Sequence, residues 1–319
     1  MPKILLIRFS SIGDIVLTTP VIRALKQQLQ GAEVHFITKK QFEPVLRSNP
    51  YIDKLWLYSG NFKELLPQLR AERFDFIADL HKNYRSLYVK LMLGKPSGTF
   101  TKLNIRKFLL VNFKWNLLPG IHIVDRYFKA VSKLGIKNDG KGLDYFISSA
   151  DEVVPEFPKY IAVVIGGKHN TKIFPPGKVA EVINKLELPV ILLGGKEDWK
   201  RGEEIVSMAL RPILNTCGEY SLNQSASLLR QSSAVLTNDT GLMHIAAAYR
   251  KKIVSVWGNT IPGFGMYPYL PEGYGDSFIS EVTGLGCRPC SKIGFNECPK
   301  HHFRCMMDIN VDEIKAHLE

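Results

Sequence analysis

Short runs of Val, Ile and Leu, each closed by a small-residue loop and followed by a helix-patterned stretch, constrain this chain more than any other feature. Lys3–Phe9, Glu33–Thr38 and Phe74–Leu80 read as strands in the first half. Tyr160–Ile165, Val190–Leu193, Ala234–Thr237 and Ile253–Val256 do so in the second. Such unbroken apolar runs suit strands covered on both faces, which is the condition of a parallel sheet flanked by helices. The intervening stretches Val16–Gln30, Phe62–Glu72, Val179–Leu186 and Leu242–Tyr249 carry helical patterning, and Val311–Leu318 reads as a terminal helix. The fold class is therefore α/β, built from doubly wound, Rossmann-like sheets. The 319 residues suit two domains at roughly 150 residues each. Pro155 and Pro158, with Asp151, Glu152 and Glu156, mark Ser148–Lys159 as the linker. The expected domains are residues 1–153 and 154–319, with ligands outside the carboxyl ends of the strands.

The charge is lopsided. Residues 1–150 hold 24 Lys+Arg against 11 Asp+Glu, so 24 − 11 = +13, whereas residues 151–319 hold 18 against 19, so −1. Between Leu80 and Val124 there is no carboxylate side chain, and Lys82, Arg85, Lys90, Lys95, Lys102, Arg106, Lys107 and Lys114 are interleaved with Phe100, Phe108, Phe113 and Trp115. A one-signed field of this kind fits a polyanionic partner: nucleic acid, an anionic membrane face or a phosphorylated substrate. The bland alternative is a well-solvated surface. No apolar run approaches the ~18 residues of a membrane-crossing helix, and the amino terminus lacks the pattern of a secretory signal. The sequence predicts a cytoplasmic protein.

Four loops follow strands and can carry chemistry. Arg8-Phe9-Ser10-Ser11-Ile12-Gly13-Asp14 leads into a helix, and its lone carboxylate, Asp14, suits either a helix cap or a general base. It is neither a dinucleotide fingerprint nor a P-loop. Gly166–Pro175 holds Lys168 and Lys172 on flexible backbone, which suits an anion or merely a solvated loop. In Gly194-Gly195-Lys196-Glu197 the carboxylate of Glu197 can accept from a ribose diol. Asn238-Asp239-Thr240-Gly241-Leu242-Met243-His244 runs from a strand into a helix, with Asp239 or Thr240 as cap. Its free amides form an anion site, and His244 lies within the first turn or so.

At these residues the chain resembles glycosyltransferase family 9, the heptosyltransferases of the lipopolysaccharide inner core. The opening segment Ile7-Arg8-Phe9-Ser10-Ser11-Ile12-Gly13-Asp14-Ile15-Val16-Leu17-Thr18-Thr19-Pro20 is similar to that family's amino-terminal signature. Asn238-Asp239-Thr240-Gly241-Leu242-Met243-His244-Ile245-Ala246-Ala247-Ala248 is similar to its later one, and Asp79-Leu80-His81-Lys82-Asn83-Tyr84-Arg85-Ser86 resembles a segment between. The resemblance implies a GT-B fold, two Rossmann-like domains facing across a cleft. The first would hold the acceptor and the second the nucleotide sugar, with the last helix crossing back. It implies inverting transfer from an ADP-activated heptose, without a catalytic metal, to an anionic acceptor at the cytoplasmic face of the inner membrane. Asp14 matches the catalytic base. Lys172 matches a phosphate-contacting lysine and Glu197 a ribose-holding residue, while Asp239, Thr240, Gly241, Leu242 and His244 match the donor signature. Phe174 stands where the family often has Trp. Ser10, Gly13, Lys82, Arg85, Lys102, Arg106 and Lys107 are the expected acceptor contacts, on charge and position.

Cys287, Cys290, Cys298 and Cys305 are spaced C-x2-C-x7-C-x6-C, with His301 and His302 inside the span. They fit a structural zinc site, or buried reduced thiols; disulfides are disfavoured in cytoplasm. Two other functions remain open on sequence: a sugar-nucleotide epimerase, which needs no polyanionic acceptor, and a nucleic-acid binder, for which no binding motif is present.

Overall fold

The computed structural model describes residues 1–274 and 276–319. The chain divides into two compact units, Met1–Lys102 with Ile121–Ser148, and Leu103–Gly120 with Ser149–Glu319.

In the first unit β1 (Lys3–Ile7) leads through α1 (Ile12–Val16) and α2 (Thr19–Gln28) to β2 (Glu33–Lys39) and β3 (Lys54–Tyr58). Then come α3 (Leu65–Ala71), β4 (Phe76–Asp79), α4 (Tyr84–Leu93) and β5 (Ser97–Thr99). The five strands are parallel in the order β3-β2-β1-β4-β5. In register, Ile4 lies beside Val34 on one side and Phe76 on the other. The all-apolar Ile4–Ile7 run forms the central strand because both its faces are covered, and each of these side chains is at most 1 % exposed. Leu5, Ile7, Phe9, Ile37, Leu69, Phe74 and Ile77 pack into one core.

The chain then forms α5 (Asn104–Phe113), which groups with the second unit, and α6 (Ile123–Phe128), which returns to the first. The return is held by buried Arg23 of α2, which pairs with Asp139 at 2.8 Å, pairs with Asp144 and donates to Gly142 O at 2.9 Å. α5 is held by tertiary contacts that local patterning does not reveal. The Lys107 ammonium lies 4.9 Å from the Phe264 ring centroid. Lys114 Nζ donates to Cys287 O and Pro289 O at 3.1 and 2.9 Å.

The second unit runs β6 (Ile161–Val164), α7 (Pro176–Lys185), β7 (Val190–Leu193), α8 (Trp199–Met208), β8 (Ile213–Asn215) and α9 (Leu222–Gln231). It continues with β9 (Ala234–Asn238), α10 (Gly241–Ala248), β10 (Lys252–Trp257), β11 (Ser277–Glu281), α11 (Arg304–Met307) and α12 (Val311–Leu318). Its six parallel strands are ordered β11-β10-β9-β6-β7-β8. The last helix does not leave this unit. Val311, Ile314 and Leu318 of α12 join the core formed with Val179, Val182, Ile183 and Val254. Burying each side chain contributes about 1.5–3 kcal/mol, which binds the helix where it stands. No helix among the described residues is long and apolar enough to cross a membrane.

Candidate active site

Each sheet has one place where the chain reverses its direction of strand addition. In the first unit it lies between β1 and β4, in the second between β6 and β9. The carboxyl ends of such strand pairs open the crevice where α/β sheets take ligands. The sequence motifs fall at these two places.

Beyond β1 the chain bends into α1, so Asp14 stands in the helix's first turn. Ser11, not Asp14, is the cap residue. Asp14 reaches back to it, and its Oδ2 accepts from Ser11 Oγ at 2.8 Å and from Ser11 N at 3.3 Å. Its Oδ1 lies 2.6 Å from Arg8 Nη2. Arg8 is itself clamped, donating from Nε to Ser10 O at 2.7 Å and from Nη1 to Leu80 O at 2.6 Å. Burial opposes ionisation of Asp14. The Arg8 guanidinium and the Ser11 hydrogen bonds outweigh it and hold the carboxyl below its ordinary value. The Asp14 side chain remains 23 % exposed, so this oriented carboxylate is accessible. Gly13 is buried behind it.

Beyond β4, buried Asp79 organises the turn. Its Oδ1 accepts from His81 N and Lys82 N at 3.0 and 2.7 Å, and its Oδ2 accepts from Ser86 Oγ at 2.9 Å. Asn83 then caps α4 through Ser86 N at 3.0 Å. The turn presents His81, whose ring lies edge-on to Phe9 at 5.5 Å. Burial, with the nearby Arg8 and Lys102 charges, pushes the His81 imidazole down to about 4, so it is neutral at pH 7. Lys102 Nζ donates to Lys82 O at 3.0 Å, and burial first, then Arg8, lowers its pKa. His81 Nδ1 and the Tyr127 hydroxyl are buried without a hydrogen-bond partner among the described residues. Neither residue was singled out for a site role by the sequence, because only the fold brings them beside the first loop. Of the expected acceptor contacts, Ser10, Gly13, Lys82 and Lys102 belong to this region. Arg85 sits on α4 with its guanidinium 4.6 Å from the Tyr84 ring centroid. Arg106 and Lys107 ride on α5 in the second unit.

In the second unit Asn238, the last residue of β9, stitches the site together. Its Nδ2 donates to Val164 O and Gly166 O at 3.3 and 3.2 Å, and its Oδ1 accepts from Phe174 N at 3.0 Å. The lysine loop is thereby drawn to the strand ends, and Lys172 forms an ion pair with Asp239. Thr260 Oγ1 donates to the same carboxylate at 3.0 Å. A Cβ on Gly166 would stand 2.5 Å from Asp198 Oδ2, so the loop needs glycine there for close approach. Thr240 is the N-cap residue of α10, and Gly241, Leu242 and His244 follow in the helix. The first amides of such a helix lack intrahelical acceptors and favour negative charge. Thr240 Oγ1 and both amide atoms of Asn259 are buried with no hydrogen-bond partner among the described residues. Glu197 is exposed in the short turn after β7, beside β6.

A family model for glycosyltransferase family 9 (heptosyltransferase) matches residues 62–296. The chain belongs to this family. Lipopolysaccharide heptosyltransferase 2 of Escherichia coli (strain K12) is 26 % identical over 99 % of this chain and 97 % of its own. The solved structure of E. coli ADP-heptose lps heptosyltransferase II aligns with a TM-score of 0.74 at 22 % identity, covering 99 % of this chain and 97 % of that one. E. coli heptosyltransferase WaaC with ADP aligns at 0.69 and 17 % identity, with 98 % of both chains covered. The fold is accordingly GT-B, and this member of family 9 is a glycosyltransferase.

All five cysteines in the chain are free thiols. Cys287 Sγ lies 3.9 Å from His302 Nε2. Cys305 is packed in the second core, where burial pushes its thiol up to about 12. Among the described residues, Glu33, His35 and Glu72 form a group whose ligand atoms all lie within 4.8 Å of one another; the cysteines form none. Lys3 Nζ already neutralises that acidic group, 2.7 Å from Glu72 Oε2 and 3.3 Å from Glu33 Oε2.

Proposed function

We propose that this glycosyltransferase moves a heptose from an ADP-activated donor to the inner core of lipopolysaccharide, with inversion and with Asp14 as general base. The observation that carries the reading is the Asp14 carboxylate, held ionised and oriented by Arg8 and Ser11 yet open to solvent at the β1/β4 strand ends. The acceptor oxygen attacks the anomeric carbon, its proton passes to Asp14, and the bond from that carbon to the diphosphate oxygen breaks, releasing ADP. A carboxylate in hydrogen-bond reach contributes about 10²–10⁴-fold. Charge growing on the leaving diphosphate is met by Lys172 and the α10 amides, with Thr240, Gly241 and Leu242 at the helix start. Such preorganised positive groups serve the role a catalytic metal serves elsewhere. Asp239 aims Lys172, His244 lies in the first turn or so of α10, and Glu197 holds the ribose. Ser10, Gly13, Lys82, Arg85, Lys102, Arg106 and Lys107 receive the anionic acceptor. The enzyme works in the cytoplasm, where the donor is made available to a lipid-linked acceptor. Family membership favours transfer over the epimerase reading.

A structural zinc on Cys287, Cys290, Cys298 and Cys305 is proposed for the irregular segment before α11 and for α11 itself. It requires the thiols to draw together to sulfur–metal distances of ~2.3 Å. Less than a tenth of an equivalent of zinc by mass spectrometry of purified protein overturns it.

Calorimetric titration with ADP, UDP, GDP and NAD tests the donor. ADP preference, retained in Asp14→Asn while transfer to a lipopolysaccharide-core acceptor is lost, supports the reading. Preference for UDP or GDP overturns the donor, and undiminished transfer by Asp14→Asn overturns the base.

A further inference from the structure

Arg288 has no part in the proposed transfer chemistry, yet its side chain is only 6 % exposed and meets five acceptors. Its Nε donates to Gly258 O and its Nη1 to Val282 O, both at 2.5 Å. Its Nη2 donates to Trp257 O at 3.1 Å, to Thr260 O at 3.0 Å and to Glu281 Oε2 at 2.8 Å. Trp257 and Glu281 are register partners at the carboxyl ends of β10 and β11, so the guanidinium lies across that edge of the sheet. A staple for the sheet alone needs only Trp257, Glu281 and Val282. The other two contacts run past the strand, to Gly258 and Thr260. The turn that bears Arg288 is itself held. Lys114 of α5 donates to the carbonyls on either side of it, those of Cys287 and Pro289, and Cys290 N donates to Asn259 O at 3.0 Å.

We infer that Arg288 is a positioning residue for the donor's diphosphate, acting through the turn 258–260 on Asp239 and Lys172. The path is short. Thr260 O accepts from Arg288, and Thr260 Oγ1 donates to Asp239 Oδ2 at 3.0 Å. Asp239 in turn is ion-paired with Lys172. With Thr260 fixed, the Asp239 carboxylate points one way, and the Lys172 ammonium is aimed with it. The same segment grips the lysine loop from a second side. Thr171 N donates to Phe295 O at 3.1 Å, and Phe295 N donates to Thr171 Oγ1 at 2.8 Å. A Cβ on Gly258 would stand 2.9 Å from Thr171 O, so the turn and the lysine loop are in close backbone approach. The residue before Lys172 and the carboxylate beside it are thus both tied to residues 288–295. A lysine ammonium is a point charge on a flexible stem, and contacts that hold it beforehand cut the ordering cost of binding an anion. The planar guanidinium has five N–H donors in a fixed fork, which a lysine at 288 cannot reproduce. The role rests on the proposed function only in that Lys172 meets the diphosphate.

The test is calorimetric titration of the full-length protein with ADP, alongside the KM of donor and of acceptor. Arg288→Lys is expected to bind ADP about tenfold more weakly, the lower end of what a charged hydrogen bond is worth. Its donor KM should rise by a similar factor while its acceptor KM stays unchanged. In a Lys172→Gln background the same substitution is expected to cost less than about twofold, because the group it positions is gone. A merely structural role would lower the melting temperature and leave the two losses additive. Thr260→Val cuts the link without touching Arg288 and is expected to reproduce the loss, whereas Thr260→Ser keeps the hydroxyl and restores affinity. This pair decides the matter should Arg288→Lys not fold. Additive losses for Arg288→Lys and Lys172→Gln overturn the inference, as does full ADP affinity in Thr260→Val. If Lys172→Gln binds ADP as the wild type does, the donor reading itself fails and the positioning role falls with it. If Lys172→Gln loses affinity while Arg288→Lys and Thr260→Val keep theirs, the donor reading stands and the positioning role alone is refuted.

Discussion

Replacing Arg8 by Met keeps an apolar stem but removes the guanidinium that holds Asp14. Three contacts go with it: the 2.6 Å ion pair to Asp14 Oδ1 and the hydrogen bonds to the carbonyls of Ser10 and Leu80. Breaking a buried pair by deleting one partner costs about 3–5 kcal/mol. The Arg8 side chain is only 9 % exposed, but Asp14 at 23 % lets water reach the abandoned carboxylate, so the lower end, about 3 kcal/mol, is expected. At ~2–4 °C per kcal/mol, the melting temperature should fall by roughly 10 °C. Adding Asp14→Asn removes the uncompensated charge and should restore part of the loss, giving a coupling energy of about 2 kcal/mol in the double-mutant cycle. Because Asp14 titrates below its ordinary value in the folded enzyme, its contribution is present above the unfolded pKa and is lost as pH falls through the folded one. The gap between wild type and Arg8→Met should therefore narrow in acid. Activity should change in parallel: with burial unopposed, the Asp14 pKa rises and the variant's kcat begins to fall at a higher pH than the wild type's. Urea unfolding at several pH values and pH–rate profiles measure both effects. A coupling energy below about 0.5 kcal/mol, or superimposable acid limbs, would refute the reasoning.

Three further expectations concern the same two regions. The His81 imidazole titrates at about 4 when folded against 6.5 ordinarily, so protons favour the unfolded chain as pH falls from about 6.5 to about 4, a loss of about 3 kcal/mol. His81→Gln should flatten that part of the stability profile, and an unchanged profile in urea melts would contradict the assignment. Asn259→Leu exchanges an amide with no side-chain hydrogen-bond partner among the described residues, 2 % exposed, for an apolar side chain and should raise stability by about 1 kcal/mol; a fall of that size in thermal melts would mean that a bound water or ligand satisfies the amide. Lys172→Gln should weaken ADP binding roughly ten- to a hundredfold in calorimetry, the worth of a charged hydrogen bond, and unaltered affinity would remove Lys172 from the diphosphate.

The central strands were legible because burial on both faces demands unbroken apolar runs: β7 and α12 lie within the stretches read from the sequence. Strands β3, β5, β8 and β11 escaped, since each is short or carries half-exposed positions that blur the pattern, as in the exposed–buried mixture of Lys54–Tyr58. Motif residues such as Asp14, Lys172 and Asp239 were visible as loops after strands. Their partners were not. Only the fold turns Arg8 onto Asp14, and only there does the Asn238 amide join three segments. The placement of α5 was illegible because carbonyls some 170 residues away hold it.

That placement also decides how the enzyme can be recombined. The backbone passes from one unit to the other at Lys102–Leu103, Gly120–Ile121 and Ser148–Ser149. A chimera spliced once, after Ser148, would pair a foreign second unit with the native α5, and Lys114 would have to find its two carbonyl acceptors on an unfamiliar loop. Exchanging the second unit between relatives therefore requires residues 103–120 to travel with residues 149–319. Within the first unit, a short replacement joining Lys102 to Ile121 would leave its five-stranded sheet complete.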